Sequence, residues 1–277
     1  MDGSENLISL DEIGLGIAHY AGFHLRSAFQ PVFCRFGHKL VPVGLEGLVR
    51  PTREGTAVSP TDFFHAVPAA DRAFVDALCQ LLHLRNWRFA EPAGLRLFLN
   101  ADAGHAETTA TLAERLRATV RGLGDEGIAL SLIVCELGNA HCADHPALTR
   151  LAGRLRSFGV RIAMDFADAP GNLRNIEMVA PDIVKVDGGW FRRVCEERAA
   201  LRLLPRLFES LQTGGGQVLV QGVETQAQIE HAVDAGAQYL QGFALGTPAL
   251  AGADVQLRPR YIRPPAVSGD NVVVLAG

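Results

Sequence analysis

Glu46 stands in Val43-Gly-Leu-Glu-Gly-Leu-Val-Arg-Pro51, a run that otherwise reads as a buried strand. A carboxylate placed there costs several kcal/mol unless a cation or hydrogen-bond donors compensate it. Its counterpart is therefore a metal ion, Arg50 or a ligand that carries donors. Further polar residues recur where other strand-like segments end: Asn100, Glu136, Asp165, Lys185 with Asp187, Gln221 with Glu224, and Gln241. One such residue alone reads as a satisfied core or capping group, but this many at successive strand ends read as one shared site. Glu46, Glu136 and Asp165, with the amide oxygen of Asn100, form an all-oxygen donor set that suits Mg²⁺, Mn²⁺ or Ca²⁺ rather than zinc. Lys185 either orients a water, neutralises a phosphate, or simply pairs with Asp187. Arg50, just past its strand, suits a phosphate oxygen. A hard cation beside Arg and Lys indicates a phosphoester ligand.

Such a site needs a scaffold that brings many strand ends together. Phe29–Arg35 and Leu40–Val49 are strand-like runs joined by a Gly-containing turn, so they form an antiparallel hairpin. Strand and helix periods then alternate. Strands are expected at 95–100, 128–136, 160–166, 183–187, 217–223 and 238–245, and helices from Pro60 and over 70–87, 105–123, 145–158, 173–180, 190–211 and 225–235. This pattern specifies an α/β fold: a TIM-like (β/α)8 barrel with one strand inverted by the hairpin, whose chemistry gathers at the C-terminal rim. Residues 1–24 read as an arm or leading helix with a weak helical pattern (Leu7, Leu10, Ile13, Leu15, Ile17), 25–250 as the barrel, and 251–277 as an extended tail containing Asn271–Leu275. That tail either packs on its own barrel, adds a strand to a partner, or stays disordered.

Composition narrows the function class. With 277 residues, 48% hydrophobic and 20% charged, the chain can bury a large single core. A net charge of −4 gives no broad basic footprint, so duplex nucleic acid and anionic membrane are disfavoured and any anion must be bound locally. No apolar run reaches the roughly 18 residues of a membrane helix, and the first residues lack a signal peptide's basic region. Five scattered cysteines suit a reducing compartment, and the expectation is a cytoplasmic protein. His141, Cys142 and His145 read as surface residues sooner than as a zinc cluster. Gly214-Gly215-Gly216 reads as a turn and helix cap, since no Lys-Ser/Thr follows as in a phosphate loop.

Gln30-Pro-Val32, Leu45–Arg50, Asn100, Glu136-Leu137, Ile162–Phe166, Asp182–Asp187, Gly222–Thr225 and Gln241-Gly-Phe243 resemble, in order and spacing, the bacterial EAL domain over roughly residues 25–250. The resemblance implies a barrel that binds cyclic di-GMP and, in active members, linearises it to pGpG with two metal ions. It also implies that Gln30, Leu48, Arg50, Glu224 and Gln241 contact the nucleotide, with Lys185 and the position of Gln221 in the catalytic set. Four positions depart from the family pattern. Glu-Ala-Leu is Glu46-Gly47-Leu48. The paired Asp-Asp-Phe-Gly is Asp165-Phe166-Ala167, with Asp165 aligning to the first or the second Asp according to the direction of counting, and Asp168 as a substitute in reserve. Glu-Gly-Val-Glu-Thr begins with Gln221, and Glu-Leu-Thr-Glu ends with Asn139. Asp102 adds a carboxylate that would repel a phosphate.

Losing one Asp and one Glu weakens a two-metal site, whose clustered cations need several anionic ligands. One ion at most is expected, on Glu46, Asn100, Glu136 and Asp165. The leading expectation is a degenerate, non-catalytic EAL domain acting as a cyclic di-GMP receptor or signalling interaction module. The alternatives are a phosphodiesterase retaining some metal-dependent activity, and a nucleotide-independent module for an unidentified protein. Family members often dimerise through barrel helices, but no residue here fixes an interface.

Overall fold

The structure is a computed structural model that describes residues 7–90, 94–104, 106–124, 128–140, 144–166 and 172–262. Asp168, His141, Cys142 and Asn271–Leu275 lie outside these residues. The chain opens with β1 (Ile8–Leu10) and β2 (Gly16–Tyr20), followed by the long strands β3 (Phe23–Phe36) and β4 (Lys39–Arg53), the short β5 (Thr56–Ala57), and the helices α1 (Pro60–Ala66) and α2 (Arg72–Asn86). There follow β6 (Arg96–Asp102), α3 (Ala106–Gly122), β7 (Ile133–Gly138), α4 (His145–Ser157), β8 (Arg161–Phe166), α5 (Asn172–Val179) and β9 (Ile183–Val186). The last stretch runs α6 (Gly188–Glu196), α7 (Arg198–Leu201), α8 (Leu204–Gln212), β10 (Gln217–Val220), α9 (Gln226–Asp234), β11 (Tyr239–Leu240), β12 (Ala249–Leu250) and β13 (Arg260–Tyr261).

Eight strands close a ring. β4, β6, β7, β8, β9, β10 and β11 pair in parallel, and β3 pairs antiparallel with both β4 and β11. The inverted strand expected from the hairpin is therefore β3. Alternation sorts the side chains into two layers. Facing inward, Val32, Cys34, Phe98, Val134, Ala163, Ile183, Leu219 and Tyr239 plug the barrel. Outward, Leu97, Leu99, Ile133, Cys135, Ile162, Met164, Val184, Val186, Val218 and Val220 pack in the layer that holds Leu112, Leu116, Leu148, Leu155, Phe191 and Phe208 of the helices. β4 offers no side chain at its plug position, because a Cβ on Gly44 would come within 2.5 Å of the Phe98 ring.

Several expectations are corrected. Residues 8–20 form two strands, not a helix. The Asp11 carboxylate accepts hydrogen bonds from the Ile13 and Leu15 amides at 3.1 and 2.8 Å, and Gly14 takes a φ of +86°, which together turn β1 back onto β2. The helix expected over 190–211 is three segments, because Glu197 is extended (φ −108°, ψ 103°) and Pro205 starts a new helix where its missing N–H does no harm. Strand 128–136 begins only at Ile133, after a 3₁₀ turn at Leu130–Leu132, and the last barrel strand is just Tyr239–Leu240. Beyond it β12 lies on β3, and the described part of the tail packs on its own barrel through β13 on β4. No helix among the described residues is long and apolar enough to cross a membrane.

Candidate functional site

Two residues past each inward plug, towards the strand C-termini, the same alternation brings a polar side chain to the barrel mouth. Phe98 leads to Asn100, Val134 to Glu136, Ala163 to Asp165, Ile183 to Lys185, Leu219 to Gln221 and Tyr239 to Gln241. On β4 Gly44 leads to Glu46, and on the inverted β3 the step from Val32 runs backward to Gln30, which is paired in register with Glu46. Asp165 is in register with Lys185 and so shares its face, whereas Met164 belongs to the outward layer and Phe166 packs edge-on against Trp190 at 5.8 Å.

Glu46 is the hub. Its Oε1 accepts from Asn100 Nδ2 at 3.1 Å and from Lys185 Nζ at 3.4 Å, and its Oε2 accepts from Gln241 Nε2 at 2.7 Å. Lys185, 2% exposed, also donates to Glu136 Oε2 in a short contact, while Glu136 Oε1 is buried with no hydrogen-bond partner. Burial alone would push Glu46 up, yet Lys185 and the surrounding donors hold it below the usual carboxylate range. Burial and the neighbouring Glu46 push Glu136 well above that range despite Lys185. Asp165 carries exposed surface at the rim, but its carboxyl is enclosed enough for burial, then Glu46 and Asp187, to raise it against the pull of Lys185. Lys185 stays charged, since burial opposes the charge but Glu136, Glu46 and Asp165 more than restore it.

This geometry narrows the readings left open for Lys185. Lys185 does not pair with Asp187, whose carboxylate instead caps α6 by accepting from the Trp190 amide at 2.7 Å. Among the described residues no three His, Cys, Asp or Glu side chains are gathered as a metal site. Buried carboxylates need a counter-charge, and Lys185 supplies it between Glu46 and Glu136. The donors still fit a hard cation, because they offer oxygens and Glu136 Oε1 lacks a donor of its own.

Around this hub the remaining residues are dispersed. Gln30 donates to the Gly246 carbonyl at 3.1 Å, and Gln241 is drawn into the Glu46 cluster. Gln221 is half-buried at the end of β10, its amide bonded to the Val186 carbonyl at 3.1 Å. Exposed Glu224 forms an ion pair with Arg192 at 3.1 Å, away from the cluster. Leu48 and Arg50 line a small cleft with Phe64, Asp76, Cys79, His83 and Asn100, and Arg50 donates to the Val49 carbonyl at 2.9 Å.

Sequence reasoning missed the supports of this rim. Gln80 donates to the Asn100 carbonyl and to Asp76, both at 2.9 Å, and accepts from Arg115 at 3.2 Å, which holds the β6 terminus against α2. Asp76 is pushed up to about 7 by burial, with Asp102 adding to the rise and Arg115 opposing it. Buried His83 is held to about 4 by burial, a pull that Glu46 only partly offsets. The one signal in the sequence was polar residues on the apolar face of a helix, at Asp76, Gln80 and His83 among leucines. Asp102 does not project as a bare repulsive charge. Its carboxylate accepts from the Gly104 amide at 2.9 Å and from Asn139 Nδ2 at 3.2 Å, and Asn139 adopts a φ of +51°, a region asparagine tolerates well.

The fold has counterparts among known proteins. The cyclic di-GMP phosphodiesterase PdeL of Escherichia coli K12 is 22% identical over 249 residues, covering 88% of this chain and 67% of PdeL. The Bacillus subtilis EAL-domain protein YkuI, solved with cyclic di-GMP and calcium, superposes with a TM-score of 0.68 at 23% identity over 81% of this chain and 56% of that one. Klebsiella pneumoniae BlrP1, solved with manganese and cyclic di-GMP at pH 9.0, gives a TM-score of 0.67 at 20% identity over 88% of this chain and 61% of its own. The chain thus spans between about half and two thirds of these relatives, and likeness at this identity establishes the fold. The family model for the EAL domain matches residues 20–248, and the chain belongs to the EAL domain family.

Proposed function

We propose that this EAL domain is a cyclic di-GMP receptor or signalling interaction module whose phosphodiesterase chemistry is lost. The observation that carries this reading is the charge at the barrel mouth. Glu46, Glu136 and Asp165 face inward with Lys185 among them, while β10 ends in the neutral Gln221. Three carboxylates and one ammonium sum formally to −2, which one divalent ion balances and a second would overturn. Asp165 lies two residues past the inward Ala163, and the next side chain is Phe166, which packs on Trp190. One Mg²⁺, Mn²⁺ or Ca²⁺ on Glu46, Asn100, Glu136 and Asp165 would supply Lewis-acid polarisation of a phosphate oxygen. This chain's own residues orient the ligand: Arg50 as a guanidinium fork for phosphate, with Leu48, Gln30 and Gln241 around it. The unpaired Glu136 Oε1 favours one further reading, residual single-metal hydrolysis.

Isothermal titration of cyclic di-GMP with Mg²⁺ present tests the proposal, alongside chromatography for pGpG. Saturable binding without product, weakened about tenfold or more by Arg50→Ala, supports a receptor. Accumulation of pGpG that disappears on Glu46→Gln overturns it in favour of an enzyme. Absence of binding, verified by an orthogonal assay, rejects the nucleotide reading.

A further inference from the structure

The glycine at the centre of Glu46-Gly47-Leu48 has a steric cause. A Cβ built on Gly47 would lie 2.9 Å from His83 Cγ, closer than real Cβ atoms pack, and a tight 3.1 Å from both Cβ and Cδ2 of that side chain. His83 cannot easily give way. It is 4% exposed, its Nδ1 is hydrogen-bonded to Ser27 Oγ at 2.9 Å, and its ring lies edge-on to Phe29 with centroids 6.4 Å apart. Ser27 Oγ accepts from Asn86 Nδ2 at 3.2 Å, and Asn86 also closes a reciprocal pair with the Gly16 backbone, donating at 2.9 Å and accepting at 2.7 Å. Ser27 and Asn86 are each 1% exposed. A buried polar chain therefore runs from β2 through α2 and β3 to the underside of β4, and it touches β4 between Glu46, which anchors the acidic cluster, and Leu48 and Arg50 on the rim.

We propose that His83 is a positioning residue for this segment of β4, with Gly47 as its required complement, so that positions 47 and 83 work as one unit in setting Glu46 and Arg50. The effect on ligand binding rests on the cyclic di-GMP reading above; the steric unit does not. Buried hydrogen-bonded networks of this kind fix one arrangement of the side chains they contact, and the Ser27 and Asn86 bonds leave the imidazole little freedom to tilt away from β4.

The test uses the full chain as wild type, Gly47→Ala, His83→Ala, the double variant, and His83→Gln, whose amide can still bond Ser27. Two readouts are taken: thermal melting, and the NMR side-chain amide signals of Asn100 and Gln241, which both donate to Glu46 and report its position without ligand. Gly47→Ala should lower the melting temperature and move both amide signals, and adding His83→Ala should return both towards wild type. Purely structural damage would move melting alone, and His83→Gln should hold the amide signals nearer to wild type than His83→Ala does. Where cyclic di-GMP binds, Gly47→Ala should weaken it about tenfold or more and the double variant should recover most of that loss. The inference is overturned if Gly47→Ala behaves as wild type, or if the double variant is no better than Gly47→Ala in melting and amide signals. A wild type that binds no nucleotide, with the coupling between 47 and 83 intact, rejects the receptor reading and leaves the steric unit standing.

Discussion

Replacing Lys185 with Met keeps much of the apolar stem but removes the ammonium that bridges Glu46 and Glu136. With Nζ 3.4 Å from Glu46 Oε1, a unit pair at an effective dielectric of about 20 is worth roughly 5 kcal/mol, near the top of the ~3–5 kcal/mol range for breaking a buried pair. The variant has a partial escape, which is to bind one more proton. Holding a carboxyl of ordinary pKa ~4.3 protonated costs about 4 kcal/mol at pH 7.5 and about 1 kcal/mol at pH 5, so the loss is capped near 4 kcal/mol and shrinks on acidification. The pH trend does not come from the lysine, whose pKa is raised: its contribution is intact below the unfolded value of ~10.4 and lost only above it. It comes from Glu46, which without the ammonium changes from a lowered to a raised carboxyl and then stabilises the fold more as pH falls. At about 2–3 °C per kcal/mol for a chain of this size, melting should drop by roughly 8–12 °C at pH 7.5 and by only a few degrees at pH 5. Excess Mn²⁺ should raise the variant's melting temperature more than the wild type's, because the ion takes over the ammonium's role, with a gain of about 2.7 kcal/mol at a hundred times its Kd. Equal melting at pH 7.5, or a deficit of the same size at pH 5, would refute the reasoning.

Burial and Glu46 hold Glu136 well above the usual range, so the folded chain keeps a proton that the unfolded chain releases. Wild-type stability should then fall as pH rises from ~4.3 towards that raised value, and Glu136→Gln should flatten this stretch of the melting-versus-pH curve; parallel curves would reject the assignment. Gln221→Glu adds a carboxylate to the rim and should tighten Mn²⁺ binding by about tenfold or more in calorimetry, while lowering the melting temperature without metal; unchanged affinity would mean that position 221 does not face the ion. A Cβ on Gly242 would fall 2.1 Å from the Val223 carbonyl oxygen and 2.2 Å from its nitrogen, so Gly242→Ala should give insoluble protein or melting lower by more than about 10 °C. A soluble variant that melts like wild type would show that this rim relaxes at little cost.

The ring of strands was legible because two periods alternate cleanly along the chain, and the polar residues at the mouth were legible because they stand where strand-like runs end. The first twenty residues were not. Leu7, Leu10, Ile13, Leu15 and Ile17 mimic a helical repeat, while the deciding interaction is a single carboxylate, Asp11, capturing two amides of its own turn. The extended Glu197 within the 190–211 run was equally hidden, since nothing in its local pattern separates it from a helical residue; Pro205 was the available warning. The counter-charge of Lys185 depends on which side chains meet across the barrel. Asp187 lies two residues away in sequence, yet it caps a helix, and the ammonium meets carboxylates from β4 and β7 instead.

The same dependence on unseen neighbours governs how the departures from the family pattern should be weighed. Gly47 is one half of a contact whose other half is His83, and Asn139 is one half of a contact whose other half is Asp102. In the sequence only one member of each pair stands out as missing something, whereas in the fold each pair is a complete packing or hydrogen-bonding solution. Asp165 and Gln221 differ in kind, because there the number of negative charges facing the barrel mouth changes, and no packing contact replaces a charge. This is why Gln221→Glu tests lost metal binding, while Gly47→Ala, which restores the family's own three letters, should damage the protein.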